Sequence, residues 1–289
     1  MIDIRDYSLE EKEKHYKEKY DFIYNVGRTH KVIRNIFNIN NNKKPNPHNF
    51  IVLESYEVIR KAILNNVRFE YLVVCPEEAY TPEAQKIVDE VLSLCKEGYV
   101  VSKKTFESIM EKKNSFGVIV VAKFPLVNLD DFKIKENMKI VVLDGLEIQG
   151  NVGTIIRSAD GAGVDLVILT NKRIRISHPK FIKSSMGTCL NIPIVVGEMS
   201  EVLKWLSKNN FNIYLTDTRA KKNYFEDNYE GNVAIVAGSE RYGIMKKWYE
   251  AENVKLVKIP MLGQADSLNV GVATSIIIYE VLNKKDYSK

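Results

Sequence analysis

Polar residues follow an apolar run in the first of three segments that could do chemistry. The run ends in Asp144-Gly145, and Asn151, Gly153 and Arg157 come after it. Asparagine is a favourable helix N-cap, and glycine lets another backbone come close. The pattern predicts a strand, a loop and a helix over Asn151–Gly163. Arg157 stands among apolar neighbours, where an arginine either binds an anion or faces solvent.

The second segment joins a predicted strand to small and acidic residues. The apolar run Val233–Ala237 leads into Gly238-Ser239-Glu240. Open α/β sheets bind ligands beyond the carboxyl ends of their strands, where small residues leave room. We expect Glu240 to lie at the start of a helix, whose positive end favours a carboxylate.

The third segment ends the sequence with a polar loop and a long helix. A predicted strand, Lys255–Ile259, is followed by a loop that carries Asp266 and Ser267, and Leu268–Asn283 is predicted to be helical. Asn269 lies at the start of that helix. Taken singly, each of the three segments is as compatible with an ordinary turn or capped helix as with a binding site.

Signatures of other chemistries are missing from the sequence. Gly161-Ala-Gly163 lacks the third glycine of a dinucleotide fingerprint and follows a helix rather than a strand, which disfavours a nicotinamide-dependent oxidoreductase. Ser239 and Ser267 do not stand in a GxSxG elbow. The three cysteines are not at CxxC spacing, so neither zinc nor a disulfide framework is predicted.

In combination, the three segments resemble the SpoU/TrmH family of SPOUT RNA methyltransferases. The order is N–G–R on the first helix, G–S–E after a later strand, and I–P–M followed by S–L–N near the end. The resemblance covers about residues 138–289. The phrase LDGLEIQGN (143–151) is most similar to the thiostrepton-resistance type of enzyme, which acts on large-subunit rRNA.

The resemblance implies a fold and a cofactor. The expected fold class is α/β, with a catalytic SPOUT domain that contains a deep trefoil knot, preceded by a small α/β RNA-binding domain. The knot's loops would hold S-adenosylmethionine (AdoMet), and the enzyme would be a homodimer with sites near the dimer interface. The implied cofactor-binding residues are Thr216, Ala237, Gly238, Ser239, Glu240, Ile259, Met261, Ser267, Leu268 and Asn269.

The resemblance also implies roles in transfer of a methyl group to a ribose 2′-hydroxyl. Arg157 would act on the 2′-oxygen, and because a guanidinium rarely gives up its proton we expect it to stabilise charge rather than to act as a base. Ser267 and Asn269 would position the ribose and the cofactor. Glu240 would hold Arg157 or neighbouring main chain, and Asn151 would contact RNA or cofactor.

Three interpretations of function remain at this point. The first is a 2′-O-methyltransferase acting on 23S rRNA, the second is a tRNA enzyme of the same kind, and the third is a non-catalytic RNA-binding protein of the same fold. The basic stretch Lys172–Lys183 is either an RNA-contacting edge or a solvated loop.

Composition is compatible with these interpretations but does not single them out. The chain has 289 residues, 45% of them hydrophobic and 27% charged, and a formal net charge of +5, a mild excess that suits a polyanionic partner. The first residues form no apolar run like that of a signal peptide, and no stretch is long enough to span a bilayer. Together with the scattered cysteines, this predicts a cytoplasmic protein without a membrane partner.

The domain prediction has four parts. Residues 1–30 are a helical extension with a helix over 8–24, 31–125 a small α/β domain, 126–137 a linker, and 138–289 the catalytic domain. Within the small domain, strands are predicted at Phe50–Leu53, Phe69–Val74 and Gly117–Ala122. A helix that begins after Thr81 is predicted to end at Gly98.

The polar segment Asn38–Asn49 contains two prolines and is predicted to be a loop. A solvated connection is the favoured interpretation of this loop, and contact with RNA is the alternative.

Overall fold

The computed structural model describes residues 4–20, 22–95, 97–110 and 116–286. It divides into two units, one up to Pro125 together with Ile176–Pro179, and the other comprising Leu126–Arg175 and the residues from Lys180 onward. The outermost residues of the predicted extension and catalytic domain, 1–3 and 287–289, lie outside the described residues.

The first unit contains a mixed five-stranded sheet. Its elements are α1 (Leu9–Lys19), β1 (Ile23–Asn25), α2 (Lys31–Asn40), β2 (Phe50–Leu53), α3 (Tyr56–Leu64), β3 (Phe69–Val74), α4 (Pro82–Leu94), β4 (Gly98–Val100), α5 (Lys103–Glu107) and β5 (Val118–Lys123). The strand order is β1-β4-β3-β5-β2. β1, β4 and β3 run parallel, whereas β5 is antiparallel to both β3 and β2.

Several predictions for the first unit are wrong at element ends. The helix predicted over 8–24 begins after Ser8, whose side chain forms a capping box with Glu11, but it ends at Lys19, and Ile23–Asn25 is the edge strand β1. The helix after Thr81 ends at Leu94, and Gly98 begins β4 instead of ending the helix. The predicted loop Asn38–Asn49 begins later, because α2 extends to Asn40.

Helix α2 itself was not predicted from the sequence. Four of its apolar residues, Val32, Ile33, Ile36 and Ile39, are buried in the core on one face of the sheet. Burial of an apolar stripe stabilises a helix in spite of the β-branched residues in it, which have low intrinsic helix propensity.

The second unit contains a seven-stranded sheet in which every neighbouring pair is parallel. Its strands are β6 (Lys139–Asp144), β7 (Leu166–Thr170), β8 (Ile194–Val196), β9 (Asn212–Thr216), β10 (Lys222–Asn223), β11 (Val233–Gly238) and β12 (Val254–Lys258). Its helices are α6 (Gln149–Gly161), α7 (Pro179–Ser184), α8 (Met199–Lys208) and α9 (Val270–Asp286). The strand order is β10-β12-β9-β11-β6-β7-β8.

The strands of this sheet bring distant segments together. β6 is buried along its whole length, as the apolar run in the sequence indicates for a strand covered on both faces. Because all the strands are parallel, their carboxyl ends lie at one edge of the sheet. At that edge β9 lies between β12 and β11, so Thr216 is flanked by the ends of the second and third segments.

Residues 126–137, predicted to be a linker, group with the second unit. The amide of Val127 donates to the carbonyl of Ile194 at 3.0 Å, and Val127, Leu129 and Phe132 pack against the core of the sheet. None of the helices in the described residues is long and apolar enough to cross a membrane.

Candidate active site

A chain of hydrogen bonds links the three segments at the carboxyl edge of the seven-stranded sheet. The amide of Asn151 donates to Oε1 of Glu240 at 2.5 Å, and the amide of Asn269 donates to Oδ1 of Asn151 at 3.2 Å. Asn269 Oδ1 in turn accepts the backbone amide of Gly271 at 2.9 Å, at the start of α9. Three of the residues predicted to form the site are thus joined through their side chains.

Asn151 is not the N-cap that the sequence predicts. α6 begins at Gln149, with Ile148 at the cap position, so Asn151 lies within the first turn. Its side chain is therefore not occupied in capping and bonds to Glu240 and Asn269 instead. The N-cap role belongs to Asn269, which accepts amide hydrogens from the first residues of α9.

Glu240 does not begin a helix as predicted. The strand β11 ends in a tight turn in which Ser239 and Gly243 exchange two backbone hydrogen bonds, at 3.1 and 2.8 Å. The buried hydroxyl of Ser239 accepts the amides of Arg241 and Tyr242 inside this turn. Glu240 is exposed on the turn, where its partner is Asn151 rather than Arg157.

Gly238 makes this turn possible. A Cβ atom at this position would lie 2.3 Å from the carbonyl carbon of Gly243 and 2.4 Å from the amide nitrogen of Ile244. No side chain fits against backbone at such distances. The glycine therefore sets how closely the turn folds back over the end of β11.

Arg157 lies apart from the hydrogen-bonded residues. It is exposed on α6 and makes no hydrogen bond or ion pair with another described residue. The same helix packs against α9, where Ser275 Oγ donates to Ser158 Oγ at 2.7 Å and Gly271 leaves room beside Thr154. Arg157 is thus held on a packed helix while its guanidinium remains available to an anion.

The segment between β12 and α9 is open to solvent. Most of its residues are exposed, Ser267 among them, and Leu262 is 99% exposed. Ile259, Met261 and Leu268 are half-buried. The main chain of residues 261–268 makes no hydrogen bond with another described residue, so its donors and acceptors are available to a ligand.

Asp144 is a site residue whose role the sequence did not predict. Its carboxylate is 1% exposed and accepts Thr170 Oγ1 at 3.0 Å, Asn171 Nδ2 at 2.5 Å and the backbone amide of Met245 at 2.9 Å. These bonds fix the loop after the Ser239–Gly243 turn to the ends of β6 and β7. A carboxylate that ends a continuous buried strand was the signal for it in the sequence.

A second carboxylate lies at the end of β9. Asp217 accepts two hydrogen bonds from the Arg219 guanidinium, at 3.0 and 2.7 Å, and one from the Tyr249 hydroxyl at 2.6 Å. The bonds from Arg219, helped by that from Tyr249, lower the pKa of Asp217 to about 2. Its carboxylate therefore stays charged next to Thr216, whose hydroxyl donates to the carbonyl of Val236 at 3.0 Å.

Cationic and aromatic side chains lie near this edge. The guanidinium carbons of Arg173 and Arg241 each lie 5.2 Å from the ring centre of Tyr242, which is 60% exposed. Arg173 also bonds to Glu147 at 2.7 Å. Among the described residues, no three His, Cys, Asp or Glu side chains converge in a group that could hold a metal ion.

Known proteins are similar to this chain in sequence and in fold. The model of the SpoU rRNA Methylase family matches residues 138–279. A Staphylococcus epidermidis member of the TrmH family of tRNA/rRNA methyltransferases is 33% identical over 172 residues, which cover 57% of this chain and 69% of the relative. The chain belongs to the SpoU/TrmH family of RNA methyltransferases.

Two further proteins are similar to this SpoU/TrmH chain. The 23S rRNA (guanosine(2553)-2′-O)-methyltransferase RlmP of Bacillus subtilis is 28% identical over 183 residues, covering 63% of this chain and 71% of RlmP. The AdoMet-bound rRNA methyltransferase from Sinorhizobium meliloti superposes with a TM-score of 0.81 at 23% identity, covering 90% of this chain and 97% of that one. The α/β fold extends over both units in that comparison.

Proposed function

We propose that this protein transfers a methyl group from AdoMet to a ribose 2′-hydroxyl of RNA, in 23S rRNA. The observation that carries the proposal is the hydrogen-bonded chain Glu240–Asn151–Asn269, which joins the three family segments at the ligand-binding edge of the sheet. The rRNA substrate and the 2′-hydroxyl acceptor are supported by the relative RlmP. Such a substrate would be met in the cytoplasm, where we expect the enzyme to act.

The edge of the sheet fits AdoMet. Thr216, the Ala237–Glu240 turn and the exposed 259–269 segment lie at the ends of three adjacent strands, about 5 Å apart from one strand to the next. Half-buried Ile259, Met261 and Leu268 offer apolar contacts to an adenine ring, and the free main chain of 261–268 offers hydrogen bonds to its edge. When bound, AdoMet supplies a methyl group that is already electrophilic.

The residues of this chain would act by alignment and by charge. In-line placement of the acceptor oxygen lowers the barrier to methyl transfer without covalent help from the protein, and the proton of the 2′-hydroxyl would pass to solvent. Arg157 would stabilise the negative charge that develops on the 2′-oxygen. It would act through its charge and not as a base, because a guanidinium rarely gives up its proton. Ser267 and Asn269 would position the ribose and the cofactor, and Glu240 would hold the Asn151 amide.

RNA next to the site would contact the Arg173–Tyr242–Arg241 group. An exposed aromatic ring flanked by two guanidinium groups can stack on a base while the arginines contact phosphates. This assigns the basic stretch Lys172–Lys183 to the RNA side of the site.

The proposal includes a trefoil knot and a homodimer. After β12 the chain has to pass the ends of β9 and β11 before α9 packs on α6 and β11, and this crossing supports a threaded loop. Ile148, Val272 and Tyr279 are about half exposed near α6 and on α9, an apolar surface that a second copy would cover. In such a dimer Arg157 would lie near the interface, which accounts for its lack of a partner within one chain.

Ribose-methylation mapping tests the function. rRNA and tRNA from cells with and without the gene are compared position by position, and purified protein is incubated with labelled AdoMet and the unmodified RNA. We expect the loss of one 2′-O-methyl group in large-subunit rRNA and its restoration in vitro. Loss of a tRNA site would move the substrate to tRNA, and an unchanged map with no label transfer would refute the activity.

A further inference from the structure

One part of the first unit carries a run of positive charge without acidic residues. Between Asp21 and Glu54 there is no acidic residue, but there are five cations, Arg28, Lys31, Arg34, Lys43 and Lys44. This short region therefore carries a local formal charge of +5.

The fold places two of these cations on the outer side of α2 and three in the residues that flank the helix. The inner side of the helix is buried in the core through its apolar residues, while Lys31 and Arg34 are exposed one turn apart on the outer side. Arg28 precedes the helix, and Lys43 and Lys44 follow it; all three are exposed. The ten residues of α2 rise about 15 Å. We call these five side chains the α2 surface.

The cations of the α2 surface differ from several other cations of the first unit in having no ion pair with a described carboxylate. No described carboxylate forms an ion pair with any of the five. By contrast, Lys19 pairs with Asp89 at 2.7 Å, Lys86 with Glu90 at 3.9 Å, and Lys103 with Glu78 at 2.5 Å. The α2 surface therefore presents uncompensated charge.

Exposed aromatic rings lie beside this charge. Phe37, on the outer side of α2, is 39% exposed, and the Lys43 ammonium is 4.7 Å from its ring centre. Tyr24 is 55% exposed, and its ring lies 6.1 Å from that of Tyr99, which in turn is 5.6 Å from His30 at the start of α2. Cations along a groove or helix with aromatic rings between them are typical of single-stranded nucleic-acid binding.

We propose that the α2 surface binds the phosphate backbone of the substrate RNA, with Phe37 and Tyr24 stacking on unpaired bases. The proposal rests on the proposed function and assigns part of the substrate recognition to the first unit. Uncompensated lysines and arginines release condensed counterions when they contact phosphates, so the affinity depends on salt and not on base sequence. Unpaired regions of rRNA offer both the phosphates and the splayed bases.

The test compares two triple variants of the full-length chain. In one, R28Q/K31Q/R34Q, three cations are removed from the α2 surface. In the matched control, K14Q/K17Q/K86Q, three exposed lysines are removed from α1 and α4 in the same unit. Dissociation constants are measured over a salt series with a mixed-sequence single-stranded RNA oligonucleotide and with a large-subunit rRNA transcript. Thermal unfolding checks that both variants fold.

We expect the R28Q/K31Q/R34Q change to weaken RNA binding at least about tenfold at low salt and to reduce the slope of log K against log salt by about 2, since each phosphate contact contributes about 0.7 on single strands. The control should stay within about threefold of wild type. An equal effect of both variants, or of neither, would overturn the proposal. The proposal would also be overturned if R28Q/K31Q/R34Q weakened binding to phosphatidylserine vesicles but left RNA binding unchanged.

Two additional measurements separate this proposal from the proposed function. If R28Q/K31Q/R34Q raises the KM for rRNA without changing kcat or AdoMet affinity, the surface binds substrate outside the reaction centre. If the wild-type chain binds RNA but transfers no methyl group, the proposed function fails while the binding comparison still decides the role of the α2 surface. If the wild-type chain binds neither the oligonucleotide nor the rRNA transcript, both the proposed function and the role of the α2 surface are refuted.

Discussion

At the carboxyl edge of the seven-stranded sheet, polar side chains bond to one another, whereas on α2 of the first unit the charged side chains face solvent without acidic partners among the described residues. Asp144 accepts three hydrogen bonds and Asp217 four, from side chains and main chain. The difference fits the two tasks that we propose for these regions. Chemistry needs groups fixed in advance, while adhesion to a polyanion needs charges that are free to pair with it.

Arg157 shares a property with the cations on α2. It lies in the second unit, yet it makes no ion pair with another described residue. We expect Arg157→Ala to lower kcat about 10²- to 10³-fold, the usual cost of removing one group that stabilises a developing oxyanion. AdoMet affinity measured by calorimetry should change little. Arg157→Lys keeps the charge but loses the planar fork, so its activity should be intermediate. Lost AdoMet binding with preserved turnover would contradict the role assigned to Arg157.

Gly238 tests how rigid the bonded edge is. Gly238→Ala places a methyl group against the backbone of Gly243 and Ile244, and we expect it to reduce the free energy of unfolding by about 3 kcal/mol and to displace Glu240. Urea unfolding measures the loss. Gly27→Ala in the first unit is the matched control, because a Cβ there meets nothing within 4 Å. Similar stability of the two variants would show that the turn can relax.

Asn269 separates the capping of α9 from the hydrogen bond to Asn151. Asn269→Asp retains an acceptor for the α9 amides, so stability should be close to wild type, but it cannot donate to Asn151. If the Asn151 amide turns to donate to the new carboxylate, its hydrogen bond to Glu240 is lost instead. In both cases one of the two hydrogen bonds of Asn151 is broken. We expect about a tenfold loss in kcat/KM, the value of roughly one hydrogen bond.

Asn269→Ala removes both functions. It should lose about 1 kcal/mol of unfolding free energy in addition to the activity lost in Asn269→Asp. Thermal unfolding and methyl-transfer assays are run on both variants together. Equal activity of wild type and Asn269→Asp would show that the bond to Asn151 has no part in the reaction.

Asp217 should have the smallest effect, visible as a pH dependence. Its pKa is about 2 in the folded protein, below the unfolded value of about 4. Its bonds therefore stabilise the fold fully above about pH 4, and this contribution is lost as the pH falls toward 2. Because Arg219 is 79% exposed, we expect less than about 1 kcal/mol.

In urea unfolding at a series of pH values, Asp217→Asn should be less stable than wild type at neutral pH, and the difference should shrink below about pH 4. A difference that stays constant down to pH 2 would mean that the carboxylate charge does not contribute.

Sequence periodicity predicted most strands of both sheets, because buried parallel strands such as Lys139–Asp144 are nearly continuous apolar runs. Through the resemblance to the family it also predicted that the three segments lie together, and side-chain hydrogen bonds do join residues of all three. It did not predict which side chains would be hydrogen-bonded, because Asn151 and Glu240 come together only when the strands pair. Glu240 was expected at a helix start because strand-to-helix turns are common. The missing side chain at Gly238 allows a tighter turn instead.

Local signals also misled in the first unit. Gly98 resembles a helix-ending glycine, yet it starts a strand whose packing against Ile23 and Leu92 leaves little space for a side chain. Helix α2 was not predicted because its asparagines and cations suggest a loop. Its four buried apolar residues stabilise the helix only by packing against the sheet. In both cases long-range packing decided the local structure.

The bond between Asn269 and Asn151 joins residues 118 positions apart in the sequence. Asn151 and Glu240 are synthesised well before Asn269, so their hydrogen bond can form as the strands pair, whereas the link to Asn269 has to wait for the third segment. A copy truncated before Asn269 would keep the bond between Asn151 and Glu240 but would lose the link to α9.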